Sequence, residues 1–165
     1  MRNSYPVGVT LRGERLWLVW QSENVADDAA LPDGLAVEQG RIVHARTEEG
    51  LEELAARFGF DRDEESLIVD LDAVEDVPAK PSGDDACSRL VEAWNLLGDV
   101  ASSVGADLAD RGPMAERCYD KLFTGMNLES LTPAGEHVTP VFSGEERDAL
   151  TAVLRRGIAI LEAHL

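Results

Sequence analysis

Eight carboxylates fall within 16 residues of this sequence. They are Asp61, Asp63, Glu64, Glu65, Asp70, Asp72, Glu75 and Asp76. Clustered carboxylates can chelate a divalent cation, but an EF-hand loop needs glycine at its sixth position and glutamate at its twelfth. From Asp61 those positions hold Ser66 and Asp72, so the block instead predicts an electrostatic docking patch for a basic protein. The alternative is a solvated acidic face without a partner.

Two acids of this block also follow an apolar segment in a pattern that suggests catalysis. The segment Leu67-Ile68-Val69 runs into Asp70-Leu71-Asp72-Ala73-Val74, an Asp-x-Asp-x-Val sequence at the end of a predicted strand. Over these eight residues the chain resembles the first motif of haloacid-dehalogenase-like phosphatases. The resemblance implies a metal-dependent phosphohydrolase in which Asp70 is the nucleophile, Asp72 is the general acid and base, and magnesium neutralises the phosphate. In that family a parallel sheet, a lysine and an acidic pair follow the motif, whereas a Pro-rich segment and helices follow it here.

A long connection between the last two predicted helices is a second candidate binding element. It runs 18 residues, from Gly125 to Phe142, and loops of that length in compact domains are commonly functional or disordered. Its apolar content argues against disorder, so we expect it to wrap over the helices and bury Leu128, Leu131 and Phe142. The polar residues expected to face outward and meet a partner are Asn127, Glu129, Glu136 and His137. A loop that only anchors itself is the alternative.

The remaining reactive residue types have no spacing that predicts a site. His44, His137 and His164 share no metal-ligand spacing, and Cys87 and Cys118 form no CxxC pair, which predicts reduced, packed thiols. The glycines form no GxGxxG or Walker-type loop for a nucleotide. We therefore expect no cofactor and no metal, and we assign no catalytic residue outside the phosphatase-like motif.

The N-terminal part must position the acidic block, and its pattern predicts hairpins. Four antiparallel strands are expected, over residues 7–11, 16–20, 35–38 and 41–45, with turns at Arg12-Gly13 and Gln39-Gly40. Thr47 is the expected N-cap of a helix with an apolar stripe from Leu51 to Phe58. Gly59 ends that helix, and residues 66–69 form a short buried strand.

The C-terminal part is predicted to be helical. Prolines and glycine in the segment from Pro78 to Gly83 break the chain, which divides it into residues 1–77 and 84–165 within one compact unit. Three helices follow, the first capped by Asp84 or Asp85, the second beginning at Pro113 and ending at Gly125, and the last opened by the capping box of Ser143 and Glu146.

Two glycines and three polar residues mark special positions on these helices. Gly98 and Gly157 lie in apolar stripes, where glycine costs about 1 kcal/mol relative to alanine, so we expect the first and last helices to cross there. On the first helix, Glu92, Asn95 and Asp99 share the side away from the core, which predicts a polar outer face.

Composition limits the class of protein. The 165 residues carry 32 acidic against 15 basic side chains, a formal net charge of -17, and 44% hydrophobic residues. A charge of this sign repels nucleic acid and anionic membrane and attracts basic proteins. The fold class we expect is α+β: an antiparallel sheet with one helix, then three helices that share its core.

For function, these features favour a cytoplasmic, non-enzymatic binding protein, an immunity or antitoxin-like inhibitor of a basic nuclease toxin. The alternatives are the phosphohydrolase using Asp70 and Asp72, and a non-catalytic scaffold.

Overall fold

Strands precede the long helices along the chain, as the α+β prediction requires. The structure is a computed structural model that describes residues 2–23, 33–62, 66–75 and 83–165. The strands are β1 (Arg2–Leu11), β2 (Glu14–Glu23), β3 (Gly34–Leu35), β4 (Val37–Glu38), β5 (Arg41–Ile42), β6 (His44–Ala45) and β7 (Ile68–Asp70). The helices are α1 (Glu48–Phe58), α2 (Leu71–Glu75), α3 (Asp84–Val104), α4 (Pro113–Gly125) and α5 (Gly144–His164).

The sheet is built on the long hairpin of β1 and β2. Its turn residues Arg12 and Gly13 have φ values of 53° and 74°, the left-handed conformation that two-residue hairpin turns need. The main sheet has the order β3-β2-β1-β7, and β6 also pairs with β2. Strand β7 runs parallel to β1, with Gly8 opposite Ile68. The sheet is therefore mixed, and not wholly antiparallel as predicted, because the chain crosses over through α1 before it returns as β7.

The second predicted hairpin is present in shorter pieces. Strands β4 and β5 pair with each other around Gln39 and Gly40, whose φ values are 52° and 78°. Strands β3 and β6, on either side, pair with β2 instead. The two predicted strands 35–38 and 41–45 thus each divide between two sheets.

Helix ends follow the capping signals in two cases and depart from them in a third. The Thr47 side chain accepts a hydrogen bond from the Gly50 backbone at the start of α1. Ser143 and Glu146 form the predicted capping box at the start of α5. Helix α3, however, has Gly83 as its N-cap and no side-chain cap, so Asp84 and Asp85 lie within its first turn, where acids still favour the helix dipole.

One face of the sheet packs on the helices, so both parts of the chain contribute to one main core. That core contains Val9 and Leu18 from the hairpin together with Leu97 and Leu161 from α3 and α5. A smaller cluster on the other face of β2 holds Val19 and the buried side chains of α1. The α+β architecture with a shared core is confirmed.

The two helix glycines differ. A Cβ added at Gly157 would lie 2.7 Å from Leu97 Cβ and 3.0 Å from Leu108 Cδ1, whereas one added at Gly98 would meet nothing within 4 Å. Helix α5 therefore approaches α3 at Gly157, where it contacts Leu97 and not the adjacent Gly98. The expectation that Gly98 takes part in the crossing is wrong.

A search of the described residues for a membrane-crossing helix finds none with the required length and apolar character.

Candidate functional site

The two acids of the phosphatase-like motif both accept hydrogen bonds from backbone N–H groups of the chain. Both carboxylate oxygens of Asp72 accept backbone hydrogen bonds from the β1–β2 turn, from Arg12 N at 2.7 Å and from Gly13 N at 2.7 Å. The Oδ1 atom of Asp70 accepts a hydrogen bond from Ala73 N at 3.0 Å, in the first turn of α2. Asp70 thus stabilises the start of α2, and Asp72 joins α2 to the β1–β2 turn. Nothing among the described residues groups three His, Cys, Asp or Glu side chains as a metal site.

The rest of the acidic block is only partly described. Asp61 is exposed beyond α1, and Glu75 ends α2. Asp63, Glu64, Glu65 and Asp76 lie outside the described residues. The docking role of this block stays a prediction, and two of its eight carboxylates are already engaged in hydrogen bonds with the backbone.

The loop from Gly125 to Phe142 is anchored through Asn127, which the sequence led us to place outward. Asn127 Nδ2 donates to Asp84 Oδ1 at 2.9 Å and to the Val138 carbonyl at 2.9 Å, and Val138 N donates to Asn127 Oδ1 at 2.7 Å. The Nε2 atom of His137 lies 2.9 Å from the same Asp84 oxygen. This network fixes the loop to the start of α3.

Other loop residues divide between the core and the surface. Phe142 is buried and Leu128 is half-buried, but Leu131 is 64% exposed, so the prediction that it is buried is wrong. Glu129, Glu136 and His137 are exposed as expected. Leu131 lies in a turn closed by its own backbone hydrogen bond to the Leu128 carbonyl, which satisfies the backbone without burying the side chain.

The cysteine nearest this network is inert. Cys87 is one turn along α3 from Asp84 and fully buried, and burial, with a smaller effect of the Asp84 charge, raises the pKa of its thiol. A thiol in that environment stays protonated. Cys87 is therefore not a candidate nucleophile.

The outer face of α3 carries the residues that sequence reasoning left as ordinary surface. Two clefts lie side by side there, and Asn95 and Asp99 line both. One, of about 370 Å³, lies between the sheet and α3. The other, of about 460 Å³, lies between α3 and α4 and is called the acidic groove below. It is lined by Trp94, Asn95, Gly98, Asp99, Asp110, Glu116, Tyr119 and Asp120.

Aromatic rings form one wall of the acidic groove. The rings of Trp94 and Tyr119 meet edge to face with centroids 5.7 Å apart, and Phe123 stacks on Tyr119 at 6.3 Å. Tyr119 Oη donates to Asn95 Oδ1 at 3.0 Å, which fixes the ring. Gly98 has no side chain to fill the groove. Aromatic faces beside carboxylates provide the environment that guanidinium and ammonium groups prefer.

Some of the acids elsewhere on the surface pair with arginines of the chain. Arg46 pairs with Glu14 at 2.7 Å and Arg12 with Glu162 at 2.9 Å. Further pairs join Arg57 to Glu38, and Arg62 to both Glu48 and Glu52.

Within the described part of the chain, no arginine or lysine forms an ion pair with Asp99, Asp110, Glu116 or Asp120. One signal was present in the sequence, since Glu92, Asn95 and Asp99 share one side of α3. The position of Asp99 next to the acids of α4 depends on the tertiary fold.

Searches against protein-family models, curated proteins and solved structures return no match to this chain. Its function must therefore be argued from the groove and the cleft themselves.

Proposed function

We propose that this protein is a small acidic binding protein that docks onto a basic protein in the cytoplasm. The class we propose is an immunity or antitoxin-like inhibitor of a basic nuclease. Inhibition occurs by occlusion, because carboxylates of this chain occupy the surface where the phosphates of a nucleic acid would bind. The observation that carries the proposal is the acidic groove, whose carboxylates lack basic partners among the described residues.

The charges of the groove suit an arginine or lysine of the partner. Asp110, Glu116 and Asp120 line the groove together with Tyr119, so a basic side chain entering the groove meets an aromatic ring and several carboxylates. Such a cation–π contact contributes about 0.5 to 2 kcal/mol, more when it is desolvated. The net charge of -17 adds long-range attraction that speeds the encounter.

Exposed apolar side chains supply the other component of a binding surface. Phe123, which stacks on Tyr119, is 38% exposed, and Val141 in the following loop is 78% exposed. Charged pairs at an interface rim govern rate and specificity, while buried apolar and aromatic contacts provide most of the affinity. The loop predicted to bind a partner thus presents apolar groups, alongside Glu129 and Glu136.

The test is capture of the partner with a groove variant and a charge-matched control. The immobilised chain is exposed to lysate of its source cells at low salt, eluted with a salt gradient, and the bound proteins are identified. The groove variant is Asp110→Asn, Glu116→Gln, Asp120→Asn. The control is Glu49→Gln, Glu53→Gln, Asp148→Asn, three exposed acids elsewhere that change the net charge equally.

The proposal requires one basic protein that the wild type and the control retain, that the groove variant loses, and that elutes early with salt. The captured protein should cleave nucleic acid, and the wild-type chain should suppress that cleavage. Binding that survives high salt unchanged would contradict electrostatic docking. Equal loss by both variants would show that overall charge, and not the groove, is responsible.

A further inference from the structure

A second cleft lies on the opposite side of Asp99 from the acidic groove. It is called the sheet–helix cleft here and is formed by β1, β2, the residues before β7, and α3, with a volume of about 370 Å³. Small-molecule sites occupy roughly 300 to 1,000 Å³ and combine apolar walls with a few polar groups. The apolar walls of the cleft are Tyr5, Pro6, Trp20, Leu67 and Leu96. Its size and lining are those of a ligand site.

The aromatic part of the cleft is fixed in place. The rings of Tyr5 and Trp20 lie 6.2 Å apart at an angle of 40°. Trp20 Nε1 donates to Asp99 Oδ2 at 3.3 Å, which ties the indole on the sheet to the helix on the other side of the cleft. The indole therefore presents its ring next to a carboxylate.

The polar side of the cleft is anionic. Glu92 and Asp99 lie two turns apart on α3, with Asn95 between them, and each of the three lines the cleft. Asp99 is half-buried, and burial is the main cause that raises the pKa of its carboxyl, opposed by the Trp20 hydrogen bond and assisted by the nearby charge of Asp33. Within the described residues no lysine or arginine pairs with Asp99. An ionised carboxylate that is partly removed from water without a cation destabilises the fold unless a ligand supplies the charge.

We propose that the sheet–helix cleft binds a small organic cation, a protonated primary amine that carries an aromatic or branched apolar body. The ammonium donates a hydrogen bond to the Asp99 carboxylate, and Glu92, two turns away on the same side of α3, adds negative charge to the cleft. The apolar body packs against Tyr5, Trp20 and Leu96. Charge complementarity selects a cation, and the volume selects a molecule of this size. The proposal does not depend on the basic protein partner, because that partner is assigned to the acidic groove on the other side of Asp99.

The test is a titration of the isotope-labelled chain with 2-phenylethylammonium, followed by the amide signals and the Trp20 indole N–H signal in NMR spectra. We expect saturable shifts centred on Trp20 and on residues 92–99 of α3. The neutral analogue 2-phenylethanol should bind at least about tenfold more weakly, since tenfold corresponds to about 1.4 kcal/mol and a hydrogen bond to a charged group contributes about that much. Equal binding of the alcohol would overturn the proposal.

Single-residue variants test whether the carboxylate of Asp99 contributes to binding of the amine. Asp99→Asn keeps the size of the side chain and an acceptor for the Trp20 N–H, and it should weaken binding about tenfold, in line with the contribution of a charge-assisted hydrogen bond. Asp148→Asn, an exposed acid on α5 outside the cleft, is the matched control and should leave the affinity unchanged. If Asp99→Asn does not fold, Glu92→Gln takes its place. Unaltered affinity in the folded variant would refute the site.

The cleft could also accept a basic side chain of a partner protein, because that side chain carries the same charge as a free amine. A second titration distinguishes these two occupants. N-acetyl-arginine amide carries a guanidinium without an aromatic body. Weaker binding of this compound than of 2-phenylethylammonium supports a small-molecule site. Equal or tighter binding, or shifts that rise linearly without saturation, would overturn the assignment.

Discussion

Individual carboxylates in this protein have opposite roles in stability, although all contribute to the same net charge. Glu146 is 4% exposed and is satisfied by a cation and by backbone. Lys121 Nζ lies 2.7 Å from its Oε2 atom, which also accepts a hydrogen bond from Ser143 N at 2.8 Å. The hydrogen bond from Lys121 and that from the Ser143 backbone are the main causes that hold the pKa of Glu146 below its usual range. Glu146 therefore stabilises the folded chain as an anion.

We expect Glu146→Gln to lower the free energy of unfolding by about 1 to 2 kcal/mol at pH 7, because the charge-assisted hydrogen bond from Lys121 is lost while the Lys121 side chain, which is 33% exposed, stays partly hydrated. The folded-state pKa of Glu146 is lowered, so its contribution is present above the ordinary glutamate pKa of about 4.3 and disappears as the pH falls through the lowered value. Urea unfolding at pH 7 and at acid pH measures this. The difference between variant and wild type should shrink in acid, and Glu145→Gln, its exposed neighbour, should show little effect. A constant difference at both pH values would assign the loss to packing.

Asp99 has the opposite effect on stability from Glu146. Burial raises its pKa in the folded state, so stability from this group is present below the unfolded aspartate pKa of about 3.9 and is lost as the pH rises through the raised value. At pH 7 the ionised carboxylate opposes folding.

We therefore expect Asp99→Asn to raise the Tm at pH 7, and this gain to diminish as acid protonates Asp99 in the wild type. The charge of Asp33 acts on Asp99. The titratable groups that line the two clefts with Asp99 are Tyr5, Glu92, Asp110, Glu116, Tyr119 and Asp120. Thermal unfolding across pH, with Asp148→Asn as the control, measures the effect. A lower Tm for Asp99→Asn at pH 7 would show that the hydrogen bond from Trp20 outweighs the cost of desolvation.

At the scale of elements, the two glycines on α3 and α5 form a matched pair. Both lie within helices, where alanine gains about 1 kcal/mol over glycine. A Cβ at Gly157 would lie 2.7 Å from Leu97 Cβ, closer than packed carbons can approach, while one at Gly98 would have nothing within 4 Å. The same substitution should therefore have opposite effects at the two positions.

We expect Gly98→Ala to raise the free energy of unfolding by up to about 1 kcal/mol and Gly157→Ala to lower it by about 1 to 3 kcal/mol through overpacking. Chemical denaturation of the two variants and the wild type provides the measurement. Stabilisation by Gly157→Ala would mean that α3 and α5 can separate without loss.

Elements were predictable where the signals are local. The N-cap at Thr47, the capping box of Ser143 and Glu146, and the turn at Gln39 and Gly40 all depend on residues within a few positions of one another. The cap at Gly83 was missed because two adjacent aspartates offered a better local signal.

The candidate sites depend on long-range placement and were not predictable in the same way. Trp20 and Asp99, which join across the sheet–helix cleft, are 79 residues apart in the chain. Asp72 supports a turn 60 residues before it. The sequence shows that Glu92, Asn95 and Asp99 share a helix face, but only the packing of α3 against β2 and α4 turns that face into the rim of two clefts.

For the whole molecule, the net charge of -17 affects the stability of the fold. Like charges repel more strongly in the compact state than in the unfolded chain, so a large net charge lowers stability. The internal arginine pairs relieve this around α1, where Arg57 and Arg62 neutralise three acids. Within the described residues the carboxylates of the acidic groove form no ion pair with arginine or lysine, so their mutual repulsion is not relieved in this way.

We expect the Tm to rise as NaCl is increased from about 10 mM to about 150 mM, because the Debye length falls from about 30 Å to about 8 Å over that range. Above about 150 mM the Tm should level off, because the long-range repulsion between carboxylates is then largely screened. The core of large apolar side chains does not depend on salt at molar concentration. Near pH 4.4, the isoelectric point, the net charge is close to zero and the same salt series should leave the Tm almost unchanged. Calorimetry at both pH values makes the comparison. A Tm that climbs steadily into molar salt would instead indicate that the acidity is an adaptation to a saline cell, and a Tm that falls with salt at neutral pH would show that attractive pairs outweigh the repulsion.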